Sequence, residues 1–361
     1  MQLSVPTETA AREKRVAIAP DSIARFKKLG IDIVVQQGAG LAAGFRDDAY
    51  TAAGARIVPD ARTALAGATI VAKVQPPSAD EIALIPEGAF VISLMRPGQL
   101  GDLAAAFAKR TIVGLALELV PRITRAQSMD VLSSQATVVG YKAVLLGAER
   151  LPRFLPMLTT AAGNITPARA FILGAGVAGL QAIATAKRLG AVVSAFDVRP
   201  AVREQVQSLG ATFVAAELAA TGAETAGGYA KEQSADDQSR TLAAIAAHIK
   251  DVDLVVTTAQ IPGKPAPRLI TEAMVKSMRP GSVIVDIAAE TGGNCELSRP
   301  GETIVAHNVT IIAPLDLAST VPFHASQMFG RNIFELIKPH IKEGKFVWNP
   351  GDEILGKMIL K

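Results

Sequence analysis

A glycine-rich turn is the first feature of this chain that could do chemistry. Gly174, Gly176 and Gly179 follow the apolar run 170–173 and precede a helical pattern over 180–189. In a strand–turn–helix unit, the first glycine permits a tight turn, the second lets a pyrophosphate approach the backbone, and the third lets helix and strand pack closely. The helix N-terminus then offers N–H groups and partial positive charge to phosphates. The spacing therefore predicts a dinucleotide-binding turn that also includes Ala175, Val177 and Ala178.

An acidic residue, Asp197, ends the next predicted strand at 192–196. A carboxylate at this place accepts hydrogen bonds from the adenosine ribose hydroxyls and repels a 2′-phosphate, which favours NAD(H). Val198 and Arg199 complete the predicted ribose pocket. Because Arg199 is a cation near this pocket, NADP(H) is the alternative nucleotide. A turn that serves packing alone is disfavoured, because strand, glycines, helix and acid all stand in the required order.

Two later predicted strands, 254–258 and 282–287, end in small loops that contain glycine. Because open α/β sheets bind ligands at the carboxyl ends of their strands, these loops should lie over the same sheet edge as the glycine turn. Contact with ribose and nicotinamide and a simple short turn are equally compatible with any single residue. The candidate contact residues are Thr258, Ala259, Gln260, Gly263, Lys264, Ala288 and Glu290.

A polar segment precedes the longest predicted helix. If it lies at the mouth of a cleft between domains, Arg122 and Asp130 could pair, and Gln127 and Ser133 would then form hydrogen bonds at the nicotinamide end of the nucleotide. A solvated loop in which Ser128 or Ser133 caps the helix explains the same residues equally well.

The elements that must position these residues follow a βα rhythm, since short β-branched runs alternate with Ala- and Leu-rich amphipathic stretches. Strands are predicted at 3–5, 32–36, 70–73, 90–93, 112–116, 170–173, 192–196, 212–214, 254–258, 282–287 and 310–312, and helices at 22–28, 102–110, 135–153, 180–189 and 322–338. The stretch 221–240 lacks a sustained apolar face, which predicts a long exposed loop of the kind used as a lid. The predicted fold class is α/β, with two Rossmann-like doubly wound domains and a cleft between them. One domain would comprise 1–133 plus 316–361, and the other 134–315.

Composition limits the function further. A length of 361 residues suits two domains. The chain has 37 basic and 33 acidic residues, and so small a basic surplus does not indicate nucleic-acid binding. The single cysteine, Cys295, excludes an internal disulfide and a cysteine-based zinc cluster, and no metal site is predicted. The N-terminus lacks the pattern of a secretion signal, and no run of about 18 apolar residues occurs, so that a cytoplasmic chain is expected.

Five stretches resemble the NAD(H)-binding component of proton-translocating NAD(P) transhydrogenase. They are residues 121–135, 174–182, 223–231, 261–267 and 292–295. The resemblance implies that Arg122, Gln127, Asp130 and Ser133 shape the nicotinamide site, with the glutamine also reaching the nicotinamide of a second nucleotide. It further implies that Tyr229 lies on a mobile loop that closes over NAD(H), in agreement with the predicted lid.

The same resemblance implies the partners of this chain. Members of that family work as dimers of this component, beside a separate NADP(H)-binding domain, on a membrane domain that conducts protons. NADH bound here would pass its hydride directly to NADP⁺ held by the partner, and this chain would lie at the inner membrane through its partner subunits. Lys361 ends the chain without a second nucleotide motif, so the other components are expected on separate subunits or to have been cut away.

Alanine dehydrogenase, which has a similar N-terminal region, is the alternative enzyme. An amino-acid dehydrogenase must move a proton as well as a hydride, and alanine dehydrogenase uses a histidine after the strand equivalent to 90–93. This chain has Leu-Met-Arg-Pro at 94–97, and its four histidines all come later. Hydride exchange between two nicotinamides requires no such group, so Arg15 and Lys73 are interpreted as inherited or structural. A non-catalytic NAD-binding module stays open as a third interpretation.

Overall fold

The computed structural model describes residues 1–99, 101, 103–216, 234–261 and 264–360. The chain divides into two compact units, one formed by Met1–Gln135 with Ala318–Lys361 and the other by Ala136–Leu317. Each unit contains a sheet of mostly parallel strands connected by helices. The predicted α/β class with Rossmann-like parallel sheets is confirmed.

Six parallel strands form the sheet of the first unit, in the order β3-β2-β1-β4-β5-β6. They are β1 (Gln2–Val5), β2 (Asp32–Gln36), β3 (Arg56–Val58), β4 (Ile70–Ala72), β5 (Phe90–Ser93) and β6 (Val113–Ala116). The helices between them are α1 (Pro20–Lys28), α2 (Asp47–Ala53), α3 (Ala61–Leu65), α4 (Ala79–Leu84) and α5 (Leu103–Lys109). The strand order reverses between β1 and β4. The connections that follow these two strands leave on opposite faces of the sheet, and the crevice between them can hold polar groups.

Helix α6 (Val131–Arg150) follows, and it begins four residues before its predicted start at 135. Asp130 caps it, because its carboxylate accepts hydrogen bonds from the backbone N–H of Ser133 at 2.9 Å and from the Ser133 hydroxyl at 2.7 Å. Aspartate is among the strongest N-cap residues. The prediction that Ser128 or Ser133 caps this helix is therefore wrong.

Within the part of the chain that the structure describes, α6 alone is long and apolar enough to cross a membrane by length and composition. Part of this helix packs into the core of the second unit. Ala143 and Val144 are fully buried in the second unit, and a side chain at Gly140 would overlap the backbone of Ala178.

The sheet of the second unit has the order β11-β10-β9-β12-β13-β15-β14, and its described strands run parallel except for the antiparallel pair β14–β15. Its strands are β9 (Arg169–Leu173), β10 (Val192–Phe196), β11 (Thr212–Phe213), β12 (Leu254–Thr257), β13 (Val283–Asp286), β14 (Thr303–Ala306) and β15 (Val309–Ile312). A separate hairpin of β7 (Leu158–Thr160) and β8 (Gly163–Ile165) precedes them. The helices are α7 (Val177–Arg188), α8 (Arg203–Ser208), α9 (Ala235–Ile249) and α10 (Glu272–Ser277).

The predicted loop over 221–240 is wrong in its last section, because α9 begins at Ala235. Ser234 caps this helix by accepting the backbone N–H of Asp237 at 3.1 Å, and Asp236 and Asp237 lie in its first turn, where acidic residues are favourable. Residues 217–233, which include Tyr229, lie outside the described residues, as does Gly263.

The C-terminal segment returns to the first unit. Helix α11 (Pro322–Ile337) packs against α1, where Phe26 and Phe334 meet edge to face with ring centroids 5.2 Å apart. A short hairpin of β16 (Ile341–Lys342) and β17 (Lys345–Phe346) and the helix α12 (Leu355–Met358) complete the chain. The side chain of Asn332 on α11 donates to the carbonyl of Ser128 at 2.7 Å, which ties α11 to the polar segment.

Candidate functional site

The glycine turn lies in the second unit between β9 and α7. The strand order reverses between β9 and β12, so the turn occupies the topological switch point of this sheet. Gly174 has φ +96°, a conformation that glycine adopts without strain, and a side chain at Gly179 would overlap the carbonyl oxygen of Gly174. A Cβ at Gly176, by contrast, would have no described heavy atom nearer than Arg199 Nη2 at 4.0 Å. Gly174 and Gly179 thus meet local needs for a turn and for close packing, and the approach of a pyrophosphate to Gly176 stays a prediction.

Helix α7 begins at this turn without a side-chain cap, because its N-cap residue is Gly176. The first N–H groups of a helix have no partner within the helix, and they carry partial positive charge. Val177 is exposed at the first helical position, and Ala178 is half-buried. The start of α7 therefore presents backbone N–H groups of the kind that bind anions in other proteins.

Asp197 directly follows β10 and lies beside this turn. Its Oδ2 accepts the backbone N–H of Ala175 at 2.7 Å, and its two oxygens accept the backbone N–H, Nε and Nη2 of Arg199 at 2.7–2.9 Å. The carboxylate is nearly buried and ties the end of β10 to the glycine turn. Because these four bonds fill its acceptor sites, a ribose hydroxyl can bind Asp197 only when the Arg199 side chain moves aside. Val198 between them is half-buried against the apolar cluster under β9 and β10.

The loops after β12 and β13 meet at the same edge of the sheet. The hydroxyl of Thr258 donates to the carbonyl oxygens of Leu173 and Gly174 at 3.2 and 3.1 Å, so this loop rests on the glycine turn. Ala259 is half-buried and Ala288 is buried. The other polar candidates, Gln260, Lys264 and Glu290, are exposed.

The polar segment belongs to the first unit, and its middle forms a 3-10 helix over Thr124–Met129. Ala126 and Met129 are buried and anchor it, whereas Arg122 and Gln127 are exposed. Both oxygens of Asp130 accept hydrogen bonds from Ser133, so this carboxylate serves the start of α6. The segment therefore presents Gln127 to its surroundings from a fixed backbone.

A group of buried charges lies where β1 and β4 end in the first unit. Lys73 is 1% exposed, and its Nζ lies 2.6 Å from Glu81 Oε1 and 3.6 Å from Glu8 Oε2. Arg15 donates from Nε and Nη2 to the two oxygens of Glu13 at 2.8 and 2.7 Å. Both cations are neutralised by carboxylates of the same unit, which supports the structural interpretation of Arg15 and Lys73.

Burial raises the pKa of Glu8 to about 7, against the attraction of Lys73. The folded chain therefore holds this proton more tightly than the unfolded chain, whose glutamate titrates near 4.5. The stability contributed by this proton is fully present below that lower value and is lost as the pH rises through about 7. We expect the free energy of unfolding to fall between about pH 5 and pH 8 by clearly more in the wild type than in Glu8→Gln, as measured by denaturant titration. Glu87→Gln, at an exposed position, is the control, and equal pH slopes in wild type and Glu8→Gln would contradict the assignment.

Two buried polar residues near the site were not singled out for any role from the sequence. Asp286 ends β13 and accepts four hydrogen bonds, and Asn294 bonds both polar backbone groups of Ala259. An aspartate at the end of an otherwise apolar strand was the available signal for Asp286. Next to Asn294, burial raises the pKa of the Cys295 thiol to about 11.

Comparison with known proteins places this geometry in a family. The models "Alanine dehydrogenase/PNT, N-terminal domain" and "Alanine dehydrogenase/PNT, C-terminal domain" match residues 4–139 and 143–361. The chain is 48% identical over 347 residues to the first portion of the NAD(P) transhydrogenase alpha subunit of Rhodospirillum rubrum, covering 94% of this chain and 90% of that protein. The chain belongs to the NAD(P) transhydrogenase alpha-subunit family.

The structural comparison agrees with this assignment. A transhydrogenase structure from Sinorhizobium meliloti superimposes with a TM-score of 0.91 at 43% identity, covering 100% of this chain and 98% of that one. Alanine dehydrogenase of Bilophila wadsworthia is 33% identical over 299 residues, covering 82% of this chain and 73% of that protein. The resemblance to transhydrogenase predicted from the sequence is confirmed, together with its relation to alanine dehydrogenase.

Proposed function

We propose that this chain is the NAD(H)-binding component of a proton-translocating transhydrogenase, in which NADH bound by the second unit passes a hydride directly to NADP⁺ held by a partner domain. The observation that carries the proposal is the glycine turn at the switch point between β9 and β12, with Asp197 bonded to its Ala175 N–H. Backbone amides and a carboxylate thus lie together at one sheet edge, which supports the assignment of a pyrophosphate and a ribose to them.

The residues of the second unit fit NAD(H) on three counts. No described residue fills the space above Gly176, the start of α7 supplies N–H groups, and Asp197 supplies a carboxylate beside the turn. A 2′-phosphate would bring two further negative charges against the Asp197 carboxylate, which opposes NADP(H) at this site. We assign NADP(H) to the partner for that reason.

Replacing Asp197 by serine tests this choice of nucleotide. The variant loses the charged acceptor for the ribose hydroxyls and frees Arg199 to bind a 2′-phosphate. We expect the affinity for NADH to fall by about 10- to 100-fold and that for NADPH to rise, as measured by calorimetric titration of both nucleotides. Glu204→Ser on α8 is the control for loss of an exposed negative charge. Unchanged affinities for both nucleotides would remove Asp197 from the site.

At the nicotinamide end, we assign orientation to Gln127 and Arg122, with Asp130 and Ser133 fixing the backbone that presents them. Bound NADH supplies the reaction's hydride, and its transfer to NADP⁺ yields NAD⁺ and NADPH without a proton donor on the protein. The contribution of this chain is then to hold one ring in register with the other and to exclude water. Thr258, Ala259, Gln260, Lys264, Ala288 and Glu290, with Gly263 and Tyr229, complete the proposed nucleotide contacts.

The proposed assembly contains two copies of this chain, an NADP(H)-binding domain and a proton-conducting membrane domain. Exposed apolar side chains cluster in sequence around the β7–β8 hairpin, with Phe154 56% and Met157 67% exposed and Ile165 on β8 also exposed. Exposed apolar surface of this kind is typical of protein interfaces. It supports a homodimer, which sedimentation of the purified chain would detect.

Alanine dehydrogenase is the second candidate, because an enzyme of that name covers most of the chain at 33% identity. The position after β5 argues against it. Arg96 stands there, its Nη2 donates to Gln75 Oε1 at 2.9 Å, and the N–H groups of Met95 and Arg96 donate to Glu118. A guanidinium does not titrate near neutral pH and cannot serve as a general acid and base.

The deciding experiment assays the purified chain alone and with the NADP(H)-binding partner. We expect NADH binding by the chain alone, no turnover with pyruvate and ammonia, and hydride transfer between nucleotides only after the partner is added. Oxidation of an amino acid by the isolated chain would establish the dehydrogenase instead. Binding of NADH without either reaction would leave a nucleotide-binding module.

A further inference from the structure

Two loops of the second unit are joined by a buried polar bridge. One loop follows β12 and carries Thr258 and Ala259, and the other follows β13 and carries Asn294. Asn294 is fully buried, which is unusual for an asparagine and requires that its amide be hydrogen-bonded.

The amide of Asn294 satisfies this requirement on the other loop. Its Nδ2 donates to the carbonyl oxygens of Ala259 at 2.9 Å and Pro267 at 2.8 Å, and its Oδ1 accepts the N–H of Ala259 at 3.1 Å. One side chain thus bonds both polar groups of a single residue, as a neighbouring strand would. One of these bonds is accepted from Ala259 and the other is donated to it, and together they fix the position of the Ala259 backbone.

The bridge continues from Ala259 to the glycine turn through the adjacent residue. The N–H of Thr258 donates to the carbonyl oxygen of Leu173 at 2.7 Å, and its hydroxyl donates to that of Gly174 at 3.1 Å. A displacement of Ala259 therefore moves a residue that rests directly on the phosphate-binding turn.

Asp286 holds the other end of the bridge. Its carboxylate accepts the N–H of Cys295 at 2.9 Å and the hydroxyls of Ser298 and Thr257 at 2.6 and 2.8 Å, besides the N–H of Ala288. Hydrogen bonds to a charged acceptor are the stronger ones, and four of them fix the loop on both sides of Asn294. The bridge is therefore rigid from the end of β13 to the turn after β9.

We infer that Asn294 is a positioning residue for the nicotinamide half of the nucleotide. The inference rests on the proposed function, since it assumes that NADH binds over this sheet edge. Asn294 does not touch the reacting atoms. It fixes the positions of Ala259 and Thr258 over the glycine turn. These two residues in turn determine where the nicotinamide ring is held.

Asn294→Asp tests this at nearly constant volume. The carboxylate keeps an acceptor for the N–H of Ala259 but places a charge against two carbonyl oxygens, so the loop must move. We expect the rate of hydride transfer to NADP⁺ on the added partner domain to fall by about tenfold or more while the Kd for NADH changes by less than about threefold. The emission spectrum of bound NADH should shift as well, because it reports the surroundings of the reduced nicotinamide.

Asp253→Asn is the matched control. Asp253 is also buried, and it accepts the N–H of Arg169 at 2.8 Å at the opposite, amino-terminal edge of the same sheet. We expect it to lower the melting temperature without changing the transfer rate or the NADH emission. Asn294→Ser, which keeps one neutral donor and acceptor, serves if the aspartate variant does not fold, and it should show the same separation of rate from affinity.

The outcomes separate the two proposals. If the wild type transfers hydride but Asn294→Asp slows no more than Asp253→Asn at equal stability, Asn294 is only structural. An equal loss of NADH affinity and of the hydride-transfer rate would also show that Asn294 is only structural. If the wild type transfers no hydride with its partner, the proposed function fails, and the emission of bound NADH still decides whether Asn294 positions the ring.

Discussion

Replacing Gly176 by alanine is expected to leave the chain folded and to remove most of its affinity for NADH. Among the described residues, the nearest neighbour of the added methyl group would be Arg199 Nη2 at 4.0 Å, which leaves room for it. The same space is where the proposed pyrophosphate approaches the backbone. We expect a melting temperature close to that of the wild type and a Kd for NADH raised by about 100-fold, equivalent to roughly 3 kcal/mol of binding free energy.

Gly179→Ala is the matched comparison within the same turn. Its methyl group would overlap the carbonyl oxygen of Gly174 without any nucleotide present, so the cost falls on the folded chain itself. Thermal unfolding and NADH titration of both variants separate the two roles. If Gly176→Ala binds NADH like the wild type, the pyrophosphate does not lie against this glycine, and the proposed site is wrong.

Shortening Gln127 to asparagine is expected to slow hydride transfer far more than it weakens NADH binding. Gln127 is exposed on a 3-10 helix whose Ala126 and Met129 are buried, so the substitution withdraws an amide by one methylene from a backbone that stays in place. Misplacement of a reacting ring by about 1 Å costs on the order of 100-fold in rate. Stopped-flow measurement of a single turnover with the partner domain, beside an NADH titration, gives both quantities.

Gln207→Asn on α8 provides the control for this experiment, because it shortens an exposed glutamine of the second unit away from the glycine turn. Its rate and affinity should match the wild type. Parallel losses of rate and affinity in Gln127→Asn would show that the residue supports the fold or binds NADH uniformly. An unchanged rate would exclude it from the hydride-transfer site.

The glycine turn and its acid were predictable from the sequence because their roles are local. A strand, three glycines, a helix and Asp197 follow one another over fewer than about 30 positions, in the order that a dinucleotide-binding turn requires. The strands β2, β5 and β10 were predicted at their observed bounds because each contains a short apolar run that is rich in β-branched or aromatic residues.

The other site residues could not be predicted from the sequence, because their roles depend on contacts between residues that lie far apart along the chain. Asn294 bonds Ala259 across 35 positions and Asp286 bonds Thr257 across 29, and no spacing rule connects them. The start of α6 was placed too late because a serine and an aspartate are both good caps, and only the hydrogen bonds of Asp130 decide between them. The short elements β3, α3 and α4 have too few residues to show a period.

The buried thiol of Cys295 makes this protein convenient for site-directed spin or fluorophore labelling. It is the only cysteine of the chain, it is fully enclosed, and thiolate rather than thiol reacts with maleimides. Because the Cys295 thiol does not react near neutral pH, a single cysteine introduced at an exposed position can be labelled without first removing Cys295. Distances between such probes on the two units, with and without NADH, can then be measured on a chain whose natural residues are otherwise intact.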